Sequence, residues 1–463
     1  MAHGRLWGGV ALAALLTATG AMAQDNTAAL EARIAQLEAE LGELKAAVRE
    51  NQAQNDAVRA QVQAQATAPA PVNDGVLRLP QSQTAAPAPV ATASAAPQRG
   101  FRAGDLTLNF GGFIKADTKI TRYGDGNPAS GDTLRDFYVP GSIPVGGDSE
   151  STQTDFSARQ TRFWLTADGD VGGHKVGARI EMDFQGLPGS GDERTTNPSN
   201  PSLRRAFITI DNWLIGQEWS TFQNSNTLPE TADYVGPVEG AVVVRQPQIR
   251  YTRGPFAIAV ENPETTITPF GGGTRIVADD NAVPDIVARY LISRPWGEFQ
   301  MSGLVRQLRH ENPALNIEGS ATGWGLSATG KIKVGAEDDI RFVVSGGEGI
   351  GRYLGLNLAN DAVLSANGDL ETIGVLSGYA GYRHVWAPGW RSSLIAAHQA
   401  IDNPTALTGL GVTKSATSLR GNLIYTPLTG LDIGAELMFG ERKLENDLSG
   451  DMTRLILFAK YGF

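Results

Sequence analysis

The chain has no cysteine. That excludes disulfides, thiolate metal sites, a cysteine nucleophile and a lipid-modified N-terminal cysteine. It also lacks, beyond its N-terminus, any apolar run of the roughly 18 residues that a membrane-spanning helix needs. Insertion into a membrane would therefore have to use strands. Positive charge is short as well: 39 Lys and Arg stand against 49 Asp and Glu, a formal net charge of −10. Such a balance offers no basic footprint for nucleic acid, and no nucleic-acid partner is expected. Histidine is scarce, and His3, His174, His310, His384 and His398 are scattered, none joining a serine and an acid in a nucleophile motif. The chain is read as a non-enzyme with no catalytic residues and no cofactor. No metal is expected either, because Asp125, Asp132 and Asp136 fit turn-forming roles better than ligation. The glycines of Gly347-Glu-Gly-Ile-Gly351 are not followed by the strand–helix unit of a nucleotide loop.

What is present is glycine, 55 of 463 residues, and alternation. In the last stretch, Leu455, Leu457, Ala459, Tyr461 and Phe463 lie two apart, with Arg454 and Lys460 on the other face. Left open, a half-apolar strand of this kind is an aggregation-prone edge; closing the sheet into a barrel removes that edge. The final Phe also resembles the terminal signature of bacterial outer-membrane barrels. The same period of two recurs along 104-120, 154-168, 174-186, 203-211, 213-221, 243-252, 255-262, 284-293, 296-309, 321-333, 338-346, 372-386, 389-401, 415-426, 430-442 and 452-463, sixteen segments in all. Short connections such as Asp211-Asn212, Arg294-Pro295 and Ala387-Pro388 alternate with long ones at 121-153, 187-202, 222-242, 263-283, 310-320, 347-371, 402-414 and 443-451. Even strand number with alternating short turns and long loops is the pattern of a membrane barrel. Trp296, Trp386, Trp390, Tyr425 and Tyr461 sit beside the short turns, where an interfacial girdle would lie.

The N-terminal hundred residues divide differently. His3 and Arg5, an apolar run from Leu6 and small residues at Ala21 and Ala23 read as a signal peptide over 1-23. Leu30, Ile34, Leu37, Leu41, Leu44 and Val48 are spaced four and three apart, a heptad seam within a coiled coil over 24-65. One such helix cannot bury its own stripe, so copies of the chain are expected to associate, as dimer or trimer. Residues 66-100 form an Ala/Pro-rich linker. The fold class is therefore an all-β transmembrane barrel of about 16 antiparallel strands over 101-463, with an N-terminal α-helical coiled coil on its periplasmic side.

A barrel of this size holds an aqueous channel whose chemistry is written on its inner faces. From residue 101 on there are 32 basic residues, 24 of them Arg, against 41 acidic ones. Parity turns Lys115, Arg162, Arg179, Arg250, Arg289, Arg306, Arg341, Arg391 and Arg420 inward. Two positions stay open: Arg204 or Arg205, and Arg383 or His384. A basic wall concentrates anions, and Arg binds carboxylates bidentately. The loop 222-242 is the candidate constriction, with Glu230 and Asp233 facing that wall.

Gly216-Gln-Glu-Trp-Ser-Thr-Phe222, Leu228-Pro-Glu230, Arg245-Gln-Pro-Gln-Ile-Arg-Tyr-Thr252, Glu261-Asn-Pro-Glu-Thr265, Pro284-Asp-Ile-Val-Ala-Arg-Tyr290 and Gly349-Ile-Gly-Arg-Tyr353 resemble motifs of the DcaP-type outer-membrane porins. The resemblance implies a homotrimer joined through barrel walls and coiled coil, set in outer-membrane lipid, and passive uptake of dicarboxylates and related small anions. It also marks Arg245 and Arg250 as pore residues. Gln217-Glu218 departs from the family's Gln-Thr pair. Two alternatives stay open: a general non-selective porin, and a barrel-anchored structural or adhesive protein linking the outer membrane to the cell wall. Contact of the coiled coil with peptidoglycan is likewise left open.

Overall fold

Alternating sequence becomes alternating burial along every long strand. In Leu106–Tyr123, Lys115, Asp117, Lys119, Thr121 and Tyr123 are buried, whereas Phe110, Ile114 and Ile120 are exposed. A sheet whose apolar face is the open one suits lipid. A computed structural model of the protein describes residues 100–147, 149–186, 197–315 and 317–463. The expected signal peptide, coiled coil and nearly all of the linker lie outside the described residues.

Sixteen strands make the wall: β1 (Leu106–Tyr123), β2 in two segments (Ser151–Ser157 and Arg162–Val171), β3 (His174–Asp183), β4 (Ser202–Ile210), β5 (Trp213–Trp219), β6 (Arg245–Arg253), β7 (Phe256–Glu261) and β8 (Asp285–Arg294). The second half is β9 (Gly297–Asn312), β10 (Ile317–Val334), β11 (Asp338–Glu348), β12 (Gly374–Ala387), β13 (Trp390–Asp402), β14 (Thr413–Leu428), β15 (Leu431–Leu444) and β16 (Ser449–Gly462). Each pairs antiparallel with its neighbour, and β16 returns to β1 with Tyr461 opposite Ile114 and Met452 opposite Tyr123. Phe463 adds a reciprocal backbone pair with Gly112, so the sheet has no free edge. No helix among the described residues is long and apolar enough to cross a membrane.

Expected and observed strands agree in number, with end shifts of a few residues. Two loops do not agree. The connection expected over 310-320 is a four-residue hairpin, because β9 and β10 stay paired up to Asn312 opposite Ile317. Likewise β15 and β16 pair up to Lys443 opposite Ser449, which shortens the loop expected at 443-451. Polar strand ends projecting beyond the apolar band look like loop in sequence. The long loops 262–284 and 349–373 instead carry structure of their own, a four-stranded sheet of Thr265–Thr268, Ile276–Ala278, Ala362–Leu364 and Leu370–Thr372.

Aromatics mark the short-turn end. Trp296, Trp386, Trp390, Tyr425 and Tyr461 are all exposed, and the rings of Trp390 and Tyr425 stack at 4.4 Å.

Candidate functional site

The connection from β5 to β6, residues 220–244, lies inside the barrel. Its start is shaped locally: the Asn224 side chain accepts from Asn226 N at 3.1 Å, and Thr227 Oγ1 donates to Asn224 O at 2.8 Å. From there it follows the inner wall strand by strand. Asn224 donates to Glu298 of β9 at 2.8 Å, Tyr379 of β12 donates to Thr227 O at 3.1 Å, and Arg341 of β11 donates to Leu228 O at 2.5 Å. Glu230 takes a bidentate pair from Arg391 of β13, at 2.8 and 2.7 Å. Ala232 N donates to Glu436 of β15 at 2.8 Å, while Lys115 of β1 donates to Ala232 O at 2.5 Å. The tip reaches β2 and β3, where Tyr234 Oη donates to Asp183 at 2.7 Å and accepts from Arg162 at 3.0 Å. The return limb lies flush on the wall, since a Cβ at Gly240 would fall 2.5 Å from the carbonyl carbon of Gly378.

Two more loops turn inward above this tongue. Loop 124–150 buries Leu134, Tyr138 and Ile143 against Val238, Met438 and Met452. Loop 349–373 packs Ile350, Tyr353 and Leu354 on Phe222 and Val242. Each is held by a buried arginine of the wall. Arg454 donates to Thr121 Oγ1 at 2.8 Å and to Leu134 O at 2.5 Å. Arg306 pairs with Asp285 at 3.3 Å and with Asp361 at 2.9 Å, and Asp361 accepts from Thr266 N at 2.9 Å. Arg420 sits with its guanidinium 4.9 Å from the Tyr138 ring, 3.5 Å from Asp233 and 3.6 Å from Glu436. Asp233 also accepts from Tyr138 N at 3.0 Å.

Glu239 in the tongue is wholly buried, accepting from Tyr138 Oη at 2.6 Å and Ser418 Oγ at 2.9 Å. Burial raises its carboxyl above the ordinary carboxylate value, against the opposing pull of Arg420. The Tyr138 phenol is pushed well above its usual value, first by burial and then by Glu239.

The residues singled out from sequence divide accordingly. Arg306 and Arg420 have side chains with no exposed surface, and Lys115 retains 7%. These three are ties between wall and loops, a correction to their expected place on the lining. Arg162, Arg179, Arg341 and Arg391 keep between 16% and 23% of their side chains open. Arg162 donates to Glu181 at 3.0 Å and Asp183 at 2.7 Å, Arg179 to Glu181 at 2.7 Å, and Arg341 to Asp339 at 2.6 Å. Arg250 shares the buried face of β6 with Gln246 and Gln248, donating to Gln248 Oε1 at 3.0 Å and Trp219 O at 2.7 Å. Arg289 has the same parity as the buried Asp285 and Val287 of β8. Neither Arg250 nor Arg289 has a carboxylate within ion-pair distance among the described residues. Arg245 opens β6 on the opposite parity from Arg250 and lies on the Trp219 ring at 3.6 Å.

Both open parities resolve. A bulge displaces the β3–β4 register between Glu181 and Met182, so that Arg204 reaches Asp183 at 2.7 Å while Arg205 reaches Glu218 at 2.7 Å. Arg383 turns inward to Asp339 at 2.8 Å, and His384 stays outside against Trp386. Tyr234, Glu239, Tyr353 and Asp361 were not identified from sequence.

A family model described as DcaP outer membrane protein matches residues 103–463. Among solved structures, the outer membrane channel DcaP of Acinetobacter baumannii is similar over 79% of this chain and 99% of that one, with 24% identity and a TM-score of 0.66. Outer-membrane expressed OmpT of Vibrio cholerae follows at 11% identity and a TM-score of 0.47, over 79% of this chain and 100% of that one. An anion-selective porin from Comamonas acidovorans has 11% identity and a TM-score of 0.45, over 77% of this chain and 100% of that one. No curated protein matches the sequence.

Proposed function

The chain belongs to the DcaP outer membrane protein family, and from that premise we propose that it is a porin through which small anions, dicarboxylates among them, diffuse passively. One observation carries the selectivity: Arg250 and Arg289 stand on the inner face of β6 and β8 without a carboxylate partner among the described residues. Guanidinium groups held without a counter-ion in a narrow, partly dry passage attract carboxylates and bind them bidentately. Arg162, Arg179, Arg204 and Arg205 extend the basic surface alongside, each already sharing an acid. Glu230 and Asp233, fixed to Arg391 and Arg420, make the tongue a constriction that narrows the passage toward β2–β6. A non-selective porin is the second reading, favoured by Glu181, Asp183 and Glu218, which offset four of these arginines.

Reconstitution in a planar bilayer under a salt gradient separates the two. An anion-selective reversal potential with current block by succinate supports the first; a potential near zero without block ends it. The same reading includes a homotrimer joined through barrel walls and the heptad segment, exported by residues 1–23. Current steps in threes are its signature, and deletion of 24–100 should lower the temperature at which the assembly falls to single subunits.

A further inference from the structure

The outer wall carries a feature that the channel does not use. Tyr382, Leu394, Gly421, Leu437 and Leu455 form one cross-strand row over β12–β16, each opposite the next. In the adjacent row toward the short turns His384 stands opposite Ser392, and Leu423 opposite Ala435. Gly421, Ala435 and Ser392 are small among leucines, and the surface sinks there into a groove of about 660 Å³. That is the size of a small-molecule site. The groove is apolar along its floor and polar only at its short-turn end. There Asp338 accepts from Tyr382 Oη at 2.5 Å and Val385 N at 2.9 Å, with His384 Nδ1 at 2.7 Å. Trp386 Nε1 donates to Ser392 Oγ at 2.9 Å beside them.

We propose that this groove holds one phospholipid with an ethanolamine headgroup. Its wall is the lipid-facing surface of an outer-membrane barrel, so the occupant of an apolar trough there is an acyl chain. The polar cluster lies level with the exposed rings of Trp386, Trp390 and Tyr425, which mark the membrane–water interface. A carboxylate on a lipid wall is tolerated near that interface and costly deeper in. Asp338 supplies an acceptor for the ammonium. His384, with Nδ1–H committed to Asp338, presents Nε2 as a second acceptor for the ammonium, and the Ser392 hydroxyl, which accepts from Trp386, donates to the phosphate. The pairing of an acid and a neutral imidazole acceptor with a hydroxyl donor matches a zwitterionic head rather than a purely anionic one. The proposal is independent of which solute crosses the pore.

The test uses the purified full-length protein in detergent, with palmitoyl-oleoyl phosphatidylethanolamine or the corresponding phosphatidylglycerol added, read by native mass spectrometry. Wild type should retain one phosphatidylethanolamine per barrel under activation that strips the rest. Gly421→Leu fills the trough, and its Cβ would meet Leu394 Cδ1 at 4.0 Å, an ordinary contact. Excluding about two methylenes of chain should lower retention roughly tenfold. Asp338→Asn should keep a bound lipid but lose the preference for ethanolamine over glycerol. Ala435→Leu, on the neighbouring strand, repeats the filling test, and gel migration before and after heating checks that each barrel is folded. Equal retention in wild type and both folded filling variants overturns the proposal. So does a change in subunit number without lipid loss, which would give the groove to a second copy of the chain.

Discussion

The inner wall uses the same residue in two opposite ways. Along β2–β8 the arginines remain partly open: Arg162, Arg179, Arg204 and Arg205 keep 17% to 23% of their side chains exposed. On β9, β14 and β16, Arg306, Arg420 and Arg454 are sealed beneath the tongue 220–244 and the loops 124–150 and 349–373, while Arg341 and Arg391 on the strands between them stay 16% and 17% open. All face inward, and nothing in their local sequence separates the sets. The difference is made by what packs on top. Arg306, sealed with its charge matched by Asp285 and Asp361, fastens a loop to the wall, whereas Arg179, paired with Glu181 of its own strand, stays partly open.

Substitutions can break this contrast directly. The largest expected effect is Arg306→Met, which leaves Asp361 buried without its counter-charge and Asp285 with Arg352 alone. Removing one partner of a buried pair costs about 3–5 kcal/mol, so thermal unfolding should move down by many degrees, whereas Arg179→Met in the open set should scarcely move it. Equal shifts would erase the distinction between the two sets. Next in size is Arg250→Glu with Arg289→Glu. Here the reversal potential should move toward cations; unchanged selectivity would remove these residues from the passage. A smaller change is expected from Glu230→Ala, which frees Arg391 from its bidentate partner and loosens the tongue. Single-channel current should rise and become noisier, and an identical trace would mean that the tongue is held without that pair.

The smallest effect concerns pH. Glu239 has its carboxyl raised in the folded protein, chiefly by burial. Its contribution to stability is therefore full below the ordinary carboxylate range and is lost as pH rises through the elevated folded value. Around it stand Tyr138, Ser418 and Arg420, with Asp233 near the same guanidinium. Glu239→Gln should flatten the decline of melting temperature on going from acidic to neutral pH. A variant as pH-dependent as wild type would assign that slope to another group.

The barrel could be read from sequence because its rule is local. A period of two needs only neighbouring residues, and a lipid outside with polar matter inside makes the two faces chemically distinct. Hence Ile114 against Lys115, or Met301 against Ser302, already shows inside and outside. Adjacent polar residues defeat that reading: Arg204 and Arg205 both face inward, and only the bulge opposite Glu181 makes it so. Depth is equally hidden. Asn224 meets Thr329 across 105 positions, Ala232 meets Glu436 across 204, and Arg454 meets Leu134 across 320. Strand number and strand faces were thus set by the sequence alone. Which arginines hold loops and which stand open was decided by tertiary structure, because burial depends on segments hundreds of residues away that alternation does not encode.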